Sequence, residues 1–461
     1  MLDQQDIKFF SEIFNKDFHT SDSYRRAYSY DATQEKFLPD AVIFPRNEEE
    51  ISKVLKHCQK KHISVVVRGA GSGFSGGSLA VCGGIVLGME KYFNQILEID
   101  TKNLIARVQP AVINADFQKV LEKYKLFYPP DPASQDFCSL GGNVSENAGG
   151  MRAAKYGITK DYVLALRAIL PNGDQICAGK KTIKDVAGYN LAGILVGSEG
   201  TLAVITEITL KLLPLPPLKQ VSVGYFLSIS EAMNAVCECM ASGVIPVALE
   251  FLDELTMKAL ESKRKLMDAP SCAKSALIVE VDGRIQEEIN YQNSHIKDVF
   301  TQNGCIGFFT ADSQEEYQMI WSMRRNASQS ATQYGKKKLN EDITVPRSRL
   351  VELLDGIKRI GQKYGFLIPC FGHAGDGNVH VNVMVVNPED QEELKRGYEA
   401  VEEIFALAIK LEGTLSGEHG IGIAKAPFMK LAFSDAEIQL FRSIKKAFDP
   451  NNILNPHKMG I

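Results

Sequence analysis

The chain has 461 residues, enough for two or three domains of the usual ~100–200 residues, each with a buried core. Its net charge of −4 excludes a global attraction to nucleic acid, so an anionic ligand has to be held by a local site. The opening segment MLDQQDIKFFSEIFNKDFHT has no basic stretch ahead of an apolar core, and no run reaches the ~18 apolar residues of a membrane span, which predicts a cytoplasmic protein.

In chain order, residues 1–38 read as an N-terminal helical segment. Asn47 then caps EEEISKVLKHCQKK, where Ile51, Val54, Leu55 and Cys58 fall at i, i+3, i+4 and i+7 of an amphipathic helix, and the strand ISVVVRG follows. The stretch from Arg68 to Gly77, RGAGSGFSGG, contains a literal G-x-G-x-x-G in Gly71, Gly73 and Gly76. A dinucleotide-binding loop of the Rossmann kind would follow a strand and open a helix. Here only SLAVCGG separates the glycines from the next apolar strand, IVLGM, and no helix fits. Helix, strand, glycine loop, strand instead predicts a loop whose backbone N–H groups wrap a phosphate directly. A plain glycine-rich hairpin is the alternative.

A second glycine-rich stretch, PPDPASQDFCSLGGNVSENAGGMRAAKYGIT from Pro129 to Thr159, brings two more Gly-Gly pairs, Asn143, Asn147 and the cations Arg152 and Lys155. A third, KDVAGYNLAGILVGSEGTLAVITEITLKLLPLP, runs into an alternating strand from Leu202 to Leu212 and a proline-rich linker from Pro214 to Pro217, where we place a domain boundary. Beyond it, strands near Val221 to Phe226, Val247 to Leu252, Ala276 to Val281 and Ile306 to Ala311 alternate with helices such as SEAMNAVCECMA, the order of a split βαβ, ferredoxin-like unit. A second strand and helix set from Ile343 to Leu411 would extend the same sheet. Nine cysteines, an odd number without zinc or iron–sulfur spacing, read as reduced core thiols.

The residues that carry chemistry cluster late. In FGHAGDGNVHVNV, His373 precedes a Gly-Asp-Gly-Asn turn and His380 follows it on an alternating strand, so a hairpin can return both imidazoles to one side. In GTLSGEHGIG, Glu418 and His419 are adjacent in a glycine-flanked loop. Two histidines and a carboxylate form a facial set that leaves positions open on zinc, iron or manganese. Two core histidines plus a solvated Glu-His turn is the plainer alternative.

The three glycine-rich stretches, at this spacing, carry a resemblance over nearly the whole chain. Residues 39–217 resemble the FAD-binding domain, PCMH type, of the vanillyl-alcohol-oxidase-type flavoproteins. The remainder is similar to the D-lactate dehydrogenase, glycolate oxidase and D-2-hydroxyglutarate dehydrogenase branch. The resemblance implies an α+β fold: a two-lobed FAD-binding domain, a ferredoxin-like α+β substrate or cap domain over 218–420 that holds the metal site, and a C-terminal segment, 421–461, returning to the FAD domain. It implies FAD with its pyrophosphate against the loop of Arg68, Gly69, Ala70, Gly71, Ser72, Gly73, Ser75 and Gly76. The rest of the cofactor would lie along Pro130 and Asp131 and along Ser139, Gly141, Gly142, Asn143, Asn147, Gly149 and Gly150, with Gly157, Glu199, Gly200, Ile205 and Asn455 contributing. Relatives with covalent flavin commonly carry a histidine where this chain has Ser72, so non-covalent FAD is expected, with a cysteine or tyrosine link left open. The ending DPNNILNPHKMG resembles the family's terminal motif, with His457 where a glycine is usual.

In the metal-dependent members the ligands match His373, His380 and Glu418, and the catalytic base matches His419. The resemblance pairs Arg324, in WSMRRNAS, with the substrate carboxylate; the residue alone would equally be an exposed helix cation. Asn382, two residues beyond His380 and so on the same strand face, could hydrogen-bond the substrate. Asn340 stands where the hydroxyglutarate enzymes have a lysine, which favours lactate or glycolate over a second carboxylate. The expected reaction is FAD- and metal-dependent oxidation of a small D-2-hydroxy acid. Its electrons would pass to a partner, an electron-transfer flavoprotein, an iron–sulfur subunit or a quinone-linked protein, which would also bring the chain to the periphery of the inner membrane. Homodimerisation is left open. Two rivals remain: a flavin reductase or transferase on the same fold without metal chemistry, and a metal hydrolase whose glycine loops bind a phosphorylated substrate.

Overall fold

The computed structural model describes residues 2–261 and 269–461. The chain divides into two compact units, one of residues 1–149, 158–215 and 418–461, the other of residues 150–157 and 216–417. Among the described residues no helix is long and apolar enough to cross a membrane.

The first unit opens with α1, Gln4–Phe14, whose Asp3 accepts the Asp6 N–H in a reciprocal capping box. Strands β1 (Phe18–His19) and β2 (Ala41–Ile43) precede α2, Glu48–Lys61. Asn47 caps α2 by accepting the Glu50 N–H, and three acids in its first turn suit the positive end of the helix. Ile51, Val54, Leu55 and Cys58 of α2 pack with Phe10 and Phe14 of α1 in one core cluster. Strands β3 (Val65–Arg68) and β4 (Ile85–Gly88) flank the first glycine loop and complete a four-stranded sheet in the order β1-β2-β4-β3. Strands β5 (Ile96–Asp100) and β6 (Ile105–Val108) come before α3, a short helix at Leu140–Glu146. Strands β7 (Val163–Ile169), β8 (Gln175–Gly179) and β9 (Val204–Lys211) follow, and the five strands order as β5-β6-β9-β7-β8. The alternation expected along β9 is absent because a central strand covered on both faces buries nearly every residue.

The second unit is built on one seven-stranded sheet. Its elements run β10 (Leu218–Phe226), α4 (Ile229–Ala241), β11 (Ala248–Asp253), β12 (Ser275–Gly283), α5 (Gln286–Gln302), β13 (Cys305–Thr310) and α6 (Gln314–Ser330). They continue through β14 (Lys337–Thr344), α7 (Leu350–Tyr364), β15 (Cys370–His373), β16 (Asn378–Val385) and α8 (Gln391–Lys410). The strand order is β13-β10-β12-β11-β15-β16-β14. Its first four strands have the ferredoxin-like order, and the later three extend the same sheet. One face packs Val221, Val223, Ile278 and Phe371 against Ile320, Trp321 and Ala327 of α6. The opposite face is backed by α5, where Gly224 leaves room for the Phe300 ring; a Cβ there would come within 2.5 Å of it.

The first unit regains the chain at residue 418 and ends with α9, Asp435–Phe448. Buried Lys445 ties α9 down by donating to the Thr201 and Leu454 carbonyls and to Asp449. His457 has φ +62°, a left-handed backbone that glycine adopts more readily than histidine. All nine cysteines are free thiols, but only Cys58, Cys138, Cys239 and Cys370 are buried. Cys82, Cys177 and Cys272 are exposed, which corrects the expectation of core thiols throughout.

Candidate active site

In the first unit the glycine loop runs from strand to strand with no helix of Rossmann length after it. Gly71 has φ +67°, and a Cβ on it would meet the Arg68 guanidinium at 2.2 Å. That guanidinium is buried beneath the loop, donating to the Tyr30 carbonyl at 2.8 Å and to Ser78 Oγ at 3.3 Å. Above the loop opens a cleft with about 1240 Å³ of free space, solvent at its mouth included. Its walls include Gly69 to Gly73 from the first stretch, Ser139, Gly141, Gly142 and Asn143 from the second, and Glu199, Gly200 and Ile205 from the third. Glu418 and His419 line it too, and the His419 ring lies 5.1 Å from that of Phe74.

Several residues expected at the cofactor support this wall from behind. The Ser75 carbonyl accepts the Ile423 N–H at 2.8 Å, and a Cβ on Gly76 would collide with Ile423. Asn114 donates to the Pro130 carbonyl, Asp131 is buried, and Asn147 ends α3 in the left-handed conformation. Gly149 stands beside Glu418. Asn455 donates to the Gly77 and Glu199 carbonyls. Gly150 and Gly157 belong to the segment that clusters with the second unit.

Glu199 was expected at the cofactor. Glu199 lines the cleft, and both carboxylate oxygens bond the loop after His419, accepting the Ile421 N–H at 2.7 Å and the Gly422 N–H at 2.6 Å. Burial pushes this carboxyl above the ordinary carboxylate range, against the pull of the two N–H donors.

The chemistry of the second unit sits on the α6-covered face of its sheet. The β15–β16 hairpin pairs Phe371 with His380 and His373 with Asn378, so both imidazoles project to that face with ring centroids 5.2 Å apart. Gly377 makes the turn possible, since a Cβ at its φ of +89° would meet the Val345 carbonyl at 2.1 Å. Glu250, opposite His373 on β11, accepts from His373 Nδ1 at 2.7 Å. This fixes the tautomer with Nε2 as the lone-pair nitrogen, the usual support of a metal-binding histidine. Arg324 Nε and Nη2 both reach Glu250 Oε2 at 2.6 Å. Arg324 is therefore a buried cation on α6, its guanidinium over the Phe371 ring, and the exposed-cation reading falls. Asn382 is wholly buried; its Nδ2 donates to the Pro369 carbonyl while Oδ1 has no protein partner.

Sequence reasoning missed Glu250 and Asp342. Asp342 pairs with His380 across β14 and β16, and accepts from Ser416 Oγ at 3.0 Å and from the Gly417 N–H at 2.8 Å. For Glu250 the available signal was an acid inside the mainly apolar strand VALEFLD; Asp342, in the polar stretch KKLNEDIT, carried no such signal. Phe74 and Cys138 of the cleft were also missed.

Residues 39–179 match the family described as FAD binding domain, and residues 215–459 match FAD linked oxidases, C-terminal domain. Glycolate oxidase subunit GlcD of Bacillus subtilis (strain 168) is 42% identical over 445 residues, covering 96% of this chain and 94% of that one. D-lactate dehydrogenase of Anaerostipes hadrus is 32% identical over 461 residues, covering 98% and 96%. Among solved structures, p-cresol methylhydroxylase with substrate bound superposes with a TM-score of 0.80 at 18% identity, covering 99% of this chain and 96% of that one, a likeness of fold alone.

Proposed function

Because this chain belongs to the FAD-linked oxidase family that includes those two relatives, and is an FAD-binding oxidoreductase of the vanillyl-alcohol-oxidase fold, we propose that it oxidises a small D-2-hydroxy acid, D-lactate or glycolate, to the 2-oxo acid. FAD is held without a covalent link, and His373, His380 and Glu418 hold a divalent zinc, iron or manganese ion. The observation that carries the reading is the His373–His380 face with Glu250 behind it, a donor set that suits an open-sided ion.

The residues present fit both groups. Ser75 Oγ and Asn455 Oδ1 are buried behind the cleft wall without protein partners, and a Cβ on Gly69, in the wall itself, would strike Ser139 Oγ at 2.2 Å. Cys138 in the cleft wall is an unpromising site for a flavin link, because burial raises its thiol and Asn143 Oδ1 accepts from it. When bound, FAD supplies the two-electron acceptor and the ion supplies Lewis acidity to an α-hydroxyl. His419 takes the hydroxyl proton on a ring backed by Phe74. Arg324, with Nε and Nη2 on Glu250, offers Nη1 to the substrate carboxylate, and Asn382, buried on the same sheet face, hydrogen-bonds the substrate. Electrons leave to a partner acceptor, an electron-transfer flavoprotein, an iron–sulfur subunit or a quinone-linked protein, with the chain in the cytoplasm and at the inner membrane only through that partner.

One observation supports a second reading, a hydroxy dicarboxylate such as D-2-hydroxyglutarate. Lys338 shares the β14 face with Asn340 and Asp342, its Nζ donates to Ser328 Oγ, and burial lowers its pKa. Comparing turnover of D-lactate, glycolate and D-2-hydroxyglutarate separates the two. The metal assignment is tested by His380→Ala, which should lose at least half of the bound metal and at least ~10-fold in turnover while keeping the flavin spectrum. Metal content equal to that of the wild type would remove His380 from the ligands.

A further inference from the structure

We infer that Glu199 and Asp342 are positioning residues for the segment that carries Glu418 and His419, one carboxylate holding it from each side in sequence. The inference rests on the reading of those two residues as metal ligand and base. Upstream, in the second unit, Asp342 is wholly buried and accepts from Ser416 Oγ and from the N–H of Gly417, the residue directly before Glu418. Downstream, in the first unit, Glu199 spends both oxygens on the N–H groups of Ile421 and Gly422, two and three residues after His419. Hydrogen bonds from backbone N–H groups to a buried carboxylate are among the stronger ones a protein makes.

The glycines of this segment leave it no slack. Gly420 has φ +83°, and a Cβ there would meet Glu146 Oε2 at 2.0 Å; a Cβ on Gly422 would meet the Ser75 carbonyl at 2.0 Å. The backbone of Glu199 supplies an independent argument. Its φ is +49°, left-handed, between Gly197 and Gly200, which also have positive φ. A non-glycine residue there is strained. A glycine would suit this backbone better, so the side chain is what the position retains. Its N–H donates to the Ser145 carbonyl and its carbonyl accepts from Asn455, so both ends of the residue are fixed in the cleft wall. The wall of the flavin cleft and the His419 segment are thereby held as one piece. A general base displaced by ~1 Å can lose about 10²-fold in rate, which is the scale on which such a hold matters.

The test uses the FAD-loaded full chain in two arms. Glu199→Gln keeps one acceptor and sets an amide N–H against the other donor. Glu199→Gly removes the carboxylate and suits the backbone, so folding is not at risk from strain. In the first arm, hydrogen exchange is read on peptides spanning 416–424 and, as a control, 204–211. Glu199→Gly should speed exchange at both Ile421 and Gly422, and Glu199→Gln at one of the two, by at least ~10-fold with the control unchanged. Unchanged exchange in both variants would overturn the hold.

The second arm measures anaerobic flavin reduction by the hydroxy acid, per bound FAD. The two variants should be slower by about 10–100-fold, and Ser416→Ala, which leaves Asp342 in place, by about 3–10-fold, each with KM within about twofold of wild type. Wild-type reduction rates per bound FAD, with any loss traced to missing cofactor, would make Glu199 a structural residue and overturn the positioning claim. Wild-type holoprotein that no hydroxy acid reduces would fail the functional reading and the positioning claim with it. The exchange arm would still decide whether the hold exists.

Discussion

At the scale of single residues the site is organised by buried carboxylates whose oxygens face other protein groups. Glu250 stands between an imidazole and a guanidinium, taking His373 Nδ1 on one oxygen and Arg324 on the other. Wholly buried, it has both oxygens taken up by these two partners. Arg324→Lys keeps the charge but not the planar fork that sends Nε and Nη2 to one oxygen. We expect KM for the hydroxy acid to rise by about 10-fold or more, and metal affinity to fall with it because His373 loses its fixed neighbour. Steady-state kinetics with a metal titration reads both; an unchanged KM would show that Arg324 only neutralises Glu250. These couplings were invisible in the sequence because Glu250 lies 123 residues from His373 and 74 from Arg324. Nothing in one chain of letters marks such a pair. His373, His380, Glu418 and His419 were legible because a tight glycine turn and a glycine-flanked Glu-His pair are local signals.

At the scale of elements, periodicity and caps did most of the work. The helix capped by Asn47 was readable from its apolar spacing, and the absence of a long helix after Gly77 was enough to set aside the Rossmann reading. The order of strands within the second unit's sheet was legible only as a class, since pairings such as β11 with β15 join segments far apart in the chain. That pairing has its own titratable device. Asp253, at the end of β11, accepts the N–H groups of Thr256 and of Cys370 on β15. Burial pushes its carboxyl up to about 6, from an ordinary 3.8. A carboxyl raised in the folded state binds its proton more tightly there than in the unfolded chain, so its contribution to stability falls as pH rises from about 4 to about 6. The gap corresponds to at most about 3 kcal/mol, and to less because the residue is partly exposed. Asp253→Asn should therefore gain on the wild type as pH rises. The Tm difference, variant minus wild type, is predicted to be more positive at pH 7 than at pH 4.5; a difference independent of pH would mean that Asp253 ionises normally.

At the scale of the whole molecule, each unit carries its own set of candidate groups. The first holds a glycine-walled cleft with Glu418 and His419 in its lining, and the second holds a sheet face bearing two histidines, a buried arginine and an asparagine oxygen without a partner. The division of the cleft among three glycine stretches was legible because so many positions without side chains, three times over, have few structural uses. The hold of the Glu199 carboxylate on the Ile421 and Gly422 N–H groups was not, since those partners lie 222 and 223 residues further on. In the proposed reaction, electrons reach a bound flavin from a hydroxy acid. The most direct measurement is the visible spectrum of the purified protein under anaerobic conditions, before and after D-lactate or glycolate is added. A flavin band that bleaches with one of these acids, from FAD that acid precipitation releases into the supernatant, is the predicted result; a bound flavin whose spectrum saturating concentrations of both acids leave unchanged would contradict it.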